Sequence, residues 1–263
     1  MVAMDDVPMS DVPVSDVPAS EGSPSVEDPA AMTAYLRTRP GSGAVAALDL
    51  VTGRSVAHRS TSTFVTASIV KVDVLVALLL AEPAGSRGLT GHEASLARAM
   101  IERSDNAAAS ALWRAAGGPS GLARANRRLG LTDTVPGHGG YWGNTRTTAR
   151  DQVRLLGALT DPDGPLGSEA RAYALGLMEH VVSGQRWGVP VVSAHPAQAA
   201  VKNGWLDTVT DRGRWTVNSI GRVVLVNGNP ALLAVLTRGS PNLATGIRTV
   251  EHLARLAAEA LLA

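Results

Sequence analysis

Apolar residues are spaced like strands near both ends of the chain and like helices between them. Gly43 to Leu50 and Arg54 to Arg59 are apolar-rich segments joined by Val51-Thr52-Gly53, a combination typical of a β-hairpin. Later strands are predicted at about 199–206, 214–226 and 231–238. Apolar positions three or four apart predict helices at about 29–38, 68–81, 92–103, 105–116, 119–129, 147–159, 168–182 and 244–262.

This order of elements predicts an α/β protein of the α+β type. Strands from both chain ends form an antiparallel sheet of about five strands with flanking helices, and the helices between them form an all-helical insertion. The predicted division is an α/β subdomain of residues 29–60 and 190–263 and an all-helical subdomain of residues 61–189.

Residues 1–28 differ in composition from the rest of the chain. Asp-Val-Pro recurs at 6–8, 11–13 and 16–18, and the segment has seven acids and neither Lys nor Arg. Such a segment buries little apolar area, so we predict a disordered, acidic, proline-rich tail. It lacks the basic start and apolar stretch of a signal peptide. The sequence as written therefore predicts a cytoplasmic protein, or an exported one if the start site is misassigned.

Composition argues against several classes of protein. The chain has no cysteine, which excludes disulfides, thiolate metal sites and cysteine nucleophiles. Its six histidines lack the spacing of metal ligands, so no metal or other cofactor is predicted. The nine aromatic residues are not interleaved with basic runs, and no apolar run is long enough for a membrane span. We expect a monomer that acts on a small molecule, without a nucleic-acid or membrane partner.

The chain contains 24 basic residues, of which only Lys71 and Lys202 are lysines. An amine can lose its proton when buried, whereas arginine stays charged. Ser68 begins the most apolar predicted helix, and Lys71 lies three positions later on the same face. Burial lowers the pKa of such a lysine, which could then take the proton of the serine and make it a nucleophile.

Two more elements carry candidate chemistry. Ser104-Asp105-Asn106 lies between two predicted helices, where its serine and aspartate are also good N-caps. Lys202-Asn203-Gly204-Trp205 lies on a predicted strand, where the lysine could instead protect a sheet edge. The glycine would allow another group to approach the backbone closely.

Taken in order, these three elements resemble the Ser-x-x-Lys, Ser-Asp-Asn and Lys-Thr-Gly set of the serine penicillin-recognising superfamily. That superfamily includes class A β-lactamases and penicillin-binding proteins. The resemblance covers roughly residues 30–263. It includes the hairpin from Leu48 to Gly53, Phe64 and Ala67, Gly117-Gly118-Pro119 and Thr147-Thr148.

The resemblance implies the catalytic roles. Ser68 would be the acylated nucleophile, Lys71 its proton acceptor, and Ser104 a relay of the proton to the leaving nitrogen. The backbone N–H groups of Ser68 and Trp205 would form the oxyanion hole.

The resemblance also implies a substrate-binding set. Asn106 would hold the substrate's amide carbonyl, and Lys202 would supply positive charge for a carboxylate and bias the pKa of Lys71. Asn203, Gly204 and Trp205 would line the same strand, with the amide of Asn203 donating to that carboxylate in place of the family's threonine.

One departure concerns deacylation. Class A enzymes have a glutamate in the loop before Thr147, but Asp133 is the only acid from 132 to 148. His138 and Tyr141 are the candidates to replace it. We therefore predict a serine hydrolase that forms an acyl-enzyme on Ser68 from a β-lactam or related amide or ester, with slow deacylation. The alternatives are a D-alanyl-D-alanine peptidase of the penicillin-binding type, a penicillin sensor that does not turn over, and a cytoplasmic acylase or esterase.

Overall fold

A computed structural model of the protein describes residues 25–27, 29–81, 89–208 and 213–263. Within these ranges the chain forms eight α-helices, a six-stranded sheet and a two-stranded sheet. The helices are α1 (Ala30–Arg37), α2 (Val70–Ala81), α3 (Gly91–Glu102), α4 (Asn106–Ala115), α5 (Gly118–Leu129), α6 (Ala149–Ala158), α7 (Ser168–Glu179) and α8 (Leu243–Leu262). The strands are β1 (Ser25–Glu27), β2 (Ser42–Asp49), β3 (Ser55–His58), β4 (Thr63–Val65), β5 (Arg146–Thr148), β6 (Ala200–Thr208), β7 (Arg214–Val224) and β8 (Pro230–Ser240).

The large sheet joins strands from both ends of the chain, in the order β1-β3-β2-β8-β7-β6. Strands β2 and β8 are antiparallel neighbours, with Ser42 opposite Arg238 and Asp49 opposite Ala231. Along this order, the five strands β3, β2, β8, β7 and β6 are each antiparallel to the next. This confirms the predicted α+β fold.

Strand β1 departs from the sequence prediction. Ser25–Glu27 pairs in parallel with Ser55–Ala57 of β3, although these residues fall in the predicted disordered tail. An edge strand presents unpaired backbone N–H and C=O groups, and β1 uses those of β3. The prediction for residues 1–24 and 28 lies outside the described residues.

Helices α8 and α6 pack against the central strands of the large sheet. Helix α8 contacts β8, β2 and β7, and it buries Val250, Leu253, Ala257 and Leu261, which are spaced three or four apart as predicted. Helix α6 contacts β2 and β8, although the sequence assigns it to the helical insertion.

Helix α2 is the central helix of the remaining helical part. It contacts α3, α4, α5 and α7, and ten of its twelve residues are buried. A helix that is apolar on every side is stable only when it is surrounded, which agrees with its sequence. Lys71 and Asp73 are therefore placed in a deeply packed environment. In the described part of the chain, no helix combines the length and apolar character needed to cross a membrane.

Candidate active site

Ser68 lies in a 3₁₀ turn, Ala67–Ile69, directly before α2. Ala67 has a φ of 48°, a left-handed conformation that is costly for a residue with a side chain and is frequent at active sites. Strand β6 packs against this turn. A Cβ atom on Gly204 would lie 2.7 Å from the backbone nitrogen of Ser68 and 2.7 Å from the carbonyl oxygen of Thr66. Only glycine allows this contact between the strand and the turn.

The amine of Lys71 is buried and points at the loop between α3 and α4. It donates to the carbonyl oxygen of Ser104 at 2.6 Å, to Ser104 Oγ at 3.0 Å and to Asn106 Oδ1 at 2.8 Å. Burial lowers the pKa of Lys71 to about 8, and the nearby charge of Asp105 opposes this shift. Within the described ranges, the hydrogen bonds of this amine go to Ser104 and Asn106 and not to the hydroxyl of Ser68.

Ser104 bridges the two lysines. Its Oγ also accepts a hydrogen bond from Lys202 Nζ at 3.0 Å, and this amine donates to the carbonyl oxygen of Asn203 at 3.0 Å. Burial, followed by the nearby charge of Lys71, lowers the pKa of Lys202 well below its usual value. Ser104 itself has a φ of 57°. A strained residue therefore holds one hydroxyl between two buried amines.

The three residues of the Ser104-Asp105-Asn106 element divide their roles. Asp105 is the N-cap of α4, since its Oδ1 accepts from the backbone nitrogen of Ala108 at 2.7 Å. The cap interpretation is thus right for Asp105, while Ser104 and Asn106 face Lys71.

Asn203 requires a correction. Its side chain is fully buried, and Nδ2 donates to the carbonyl oxygens of Gln185 at 2.8 Å and Trp187 at 2.9 Å. Side chains alternate along a strand, so Asn203 points away from the face that carries Lys202. Its amide protons are not directed at a substrate carboxylate. Asn203 instead holds residues 185–187 through these two hydrogen bonds. In this segment, the ring of Trp187 packs against that of Trp205, with the centroids 5.9 Å apart.

A cavity of about 350 Å³ opens in front of Ser68. Its walls are the 3₁₀ turn, Asn106 and Ser110 on α4, the loop 140–144, and Trp205 with Leu206 on β6. Tyr141 lines this cavity and is 75% exposed. His138 lines a neighbouring depression instead. Of the two candidates to replace a loop glutamate, the structure thus places only Tyr141 at the cavity.

Trp142 is the site residue that the sequence analysis missed. Its ring centroid is 4.9 Å from Lys71 Nζ, and its Nε1 donates to Ser110 Oγ at 3.1 Å. In the sequence, Trp142 is only an aromatic residue in a loop without acids. That pattern does not indicate a contact with a helix about 70 positions earlier. Among the described residues, no group of three histidine or acidic side chains is placed to hold a metal ion.

Fold and site together describe an α+β protein in which Ser68 lies in a turn before a helix with a buried lysine. A second serine, Ser104, joins the amine of that lysine to the amine of Lys202 on β6. Solved structures of a class A β-lactamase and of PBP-A share the fold. The class A β-lactamase from Mycobacterium abscessus has a TM-score of 0.73 at 23% identity, covering 89% of this chain and 99% of that one. PBP-A has a TM-score of 0.75 at 20% identity, covering 89% and 95%. A mutant of PBP-A, solved as its acyl-enzyme complex with penicillin G, has a TM-score of 0.73 at 19% identity, covering 88% and 94%.

The sequence comparison names the family. A model of the Beta-lactamase enzyme family matches residues 92–261, more than half of the chain, and the chain belongs to this family. The chain also resembles "Putative lipoprotein LppW" of Mycobacterium bovis and of Mycobacterium tuberculosis, each 32% identical over 188 residues. That match covers 69% of this chain and 57% of the relative's length. The matched segment is therefore a little over half of those relatives.

Proposed function

We propose that this protein is a serine hydrolase that forms an acyl-enzyme on Ser68 and releases it slowly, with a β-lactam or a related amide or ester as substrate. The observation that carries the proposal is the position of Ser104 Oγ, 3.0 Å from the amines of both Lys71 and Lys202. This arrangement gives one route for a proton between a base and a leaving group. The membership of the chain in the Beta-lactamase enzyme family supports it.

The proposed acylation step uses Ser68, Lys71 and Ser104. Neutral Lys71 accepts the proton of Ser68 Oγ, and the oxygen attacks the substrate's carbonyl carbon. The carbon–nitrogen or carbon–oxygen bond then breaks, and the leaving atom receives the proton from Lys71 through Ser104 Oγ. The backbone N–H groups of Ser68 and Trp205 would stabilise the oxyanion, where one donor is typically worth about 10²–10³ in rate.

Substrate binding falls to Asn106 and to the face of β6 that carries Lys202 and Gly204. Lys202 would meet a carboxylate of the substrate, and Asn106 its amide carbonyl. Gly204 and Trp205 would line the adjoining backbone. Asn203 would act through the segment that it holds and not by direct contact.

Slow deacylation is inferred from the loop beside the cavity. Residues 134–146 contain neither Asp nor Glu, so no carboxylate of this segment can activate a water molecule. The same acid-free loop favours a second candidate function, a D-alanyl-D-alanine peptidase of the penicillin-binding type.

Intact-protein mass spectrometry after addition of penicillin tests the proposal. We expect an adduct that forms on wild-type protein, persists for hours and is absent from Ser68→Ala. An adduct that disappears within minutes would contradict slow release, and no adduct would contradict the penicillin reaction itself. Release of D-alanine from a peptide ending in D-alanyl-D-alanine would favour the peptidase.

A further inference from the structure

Trp142 covers the amine of Lys71. The indole face lies 4.9 Å from Nζ, within the range in which an aromatic face attracts a cation. The hydrogen bond from Trp142 Nε1 to Ser110 Oγ fixes the plane of the ring. Helix α4, which carries Ser110, therefore holds the indole through its Nε1 atom.

The loop that carries Trp142 is tied to the nucleophile's own segment. Thr66 lies two residues before Ser68, and its backbone nitrogen donates to the carbonyl oxygen of Thr145 at 2.8 Å. The Oγ1 of Thr145 in turn accepts from the backbone nitrogen of Gly137 at 3.0 Å. On the other side, Trp113 Nε1 donates to the carbonyl oxygen of Gly139 at 3.0 Å. The ring is thus held in place relative to Ser68 and Lys71.

The surroundings of the amine are those of a cation site. Its three contacts, two from Ser104 and one from Asn106, match the three N–H donors of an ammonium group. The aromatic face adds a fourth favourable contact for the charged form only, because a neutral amine lacks the charge that the ring attracts. The charged groups that interact with the amine are Asp105, at the N-cap of α4, and Lys202 on β6. The other titratable groups on the surrounding elements are Asp73 on α2 and the exposed His138 and Tyr141 of the loop.

We propose that Trp142 is a positioning residue for Lys71, whose indole face stabilises the protonated amine and holds it against Ser104 and Asn106. One part of this inference, the role of the free amine of Lys71 as the base for Ser68, rests on the proposed function. With a pKa of about 8 for Lys71, about one molecule in ten carries the free amine at neutral pH. The ring therefore limits how much of the protein is ready to acylate.

Fluorinated tryptophan placed at position 142 tests the proposal without changing the shape of the site. Fluorine withdraws charge from the ring face and weakens its attraction for a cation. Because the chain has only two lysines, ¹³C label at lysine Cε gives two signals, which Lys202→Arg assigns. We expect the titration midpoint of Lys71 to fall stepwise with added fluorine, by about half to one pH unit in total. Fluorinated tryptophan in place of Trp215 is the matched control, and it should leave the titration midpoint of Lys71 unchanged.

A midpoint that does not move with fluorination at position 142 would overturn the proposal, and so would an equal shift from position 215. The penicillin adduct is measured on the same samples. Faster labelling of Ser68 at neutral pH, by about threefold to tenfold, would support both the positioning role and the proposed function. A shifted midpoint in a protein that never labels would support the positioning role and contradict the proposed function.

Discussion

Position 71 tests directly whether the buried amine is a base. We expect Lys71→Arg to slow the labelling of Ser68 by about 10²–10⁴, because a guanidinium cannot accept a proton. The substitution preserves the positive charge. It also introduces a residue type that the protein tolerates, since arginine supplies almost every other positive charge of the chain. The measurement is the rate of adduct formation by mass spectrometry.

Circular dichroism and thermal unfolding are needed beside this rate, since Lys71 is fully buried and a larger head group could unfold the domain. A folded Lys71→Arg protein that labels at nearly the wild-type rate would end the Ser68–Lys71 mechanism.

Asp73, two positions further on, forms an unusual buried pair with Gln152. Gln152 Nε2 donates to Asp73 Oδ1 at 3.3 Å, while Asp73 Oδ2 and Gln152 Oε1 are buried with no hydrogen-bond partner within the described ranges. Burial raises the pKa of Asp73 to about 7. A protonated Asp73 can donate from Oδ2, and Gln152 Oε1 is an unpaired acceptor on the same partner side chain. The folded protein therefore favours the neutral acid below about pH 7.

The sign of the pH effect follows from this shift. The unfolded acid titrates near 3.8 and the folded one near 7, so the stability that the pair contributes is complete below the first value and lost above the second. Asp73→Asn keeps the neutral pairing at every pH. From about pH 5 to about pH 8.5, its free energy of unfolding should rise relative to wild type by about 3 kcal/mol.

Denaturant unfolding at the two pH values measures this difference. Asp163→Asn, at an exposed acid, is the matched control and should show no such trend. A constant difference between Asp73→Asn and wild type at both pH values would rule out the neutral pair.

At the scale of elements, the contact between β6 and the 3₁₀ turn is the feature most sensitive to added volume. Gly204→Ala would put a methyl group within 3 Å of three backbone atoms of residues 66–69. We expect a loss of about 1–3 kcal/mol in stability and about a hundredfold slower labelling, because the strand must move away from Ser68. Gly157→Ala on α6 is the control: its methyl group meets nothing within 4 Å and should stabilise the helix slightly.

Normal labelling by Gly204→Ala would show that the spacing between strand and turn is unimportant for the reaction. Thermal unfolding and the rate of adduct formation are the two measurements required.

Long elements could be predicted from the sequence, while short ones could not. The apolar run of α2 and the spacing in α8 exceed three turns, so periodicity locates them within a few residues. Strands β4 and β5 have three residues each, too few for an alternating pattern, and their pairing joins segments about 80 positions apart. The sequence analysis therefore placed neither strand.

At the scale of the whole molecule, the motifs predict the members of a candidate site but not how these residues contact one another. Ser104 between two amines agrees with the roles implied by the family resemblance. The opposite directions of Lys202 and Asn203, and the ring of Trp142 over Lys71, depend on how distant segments pack, which no local pattern encodes. Burial of Lys71 was expected from its apolar neighbours, and Lys71 is fully buried. Lys202 is fully buried as well, although its strand also suggested a charge that protects a sheet edge.

The amino-terminal region allows a prediction for the molecule as a whole. The acids and prolines of residues 1–24 can bury little apolar area, so deleting them should change the melting temperature by less than about 2 °C. Deleting residues 1–28 also removes β1 and its pairing with β3, and we expect a further drop of a few degrees. Differential scanning calorimetry of the two truncations measures both effects. A large loss from the shorter deletion would contradict a dispensable tail.

The pairing of β2 with β8 has a consequence for biosynthesis. It joins segments almost 200 positions apart, as in the hydrogen bond from Arg238 to Ser42 across 196 positions. Pairing of strands so far apart in the chain is slow, because the entropy of the long intervening loop must be lost before the contacts between the strands form. Ser68 leaves the ribosome long before Lys202, and the strand that carries Lys202 is held in the sheet by strands made later still. Under the proposed mechanism, a nascent chain is therefore inert toward reactive acyl compounds, and Ser68 becomes reactive only as the last strands are added.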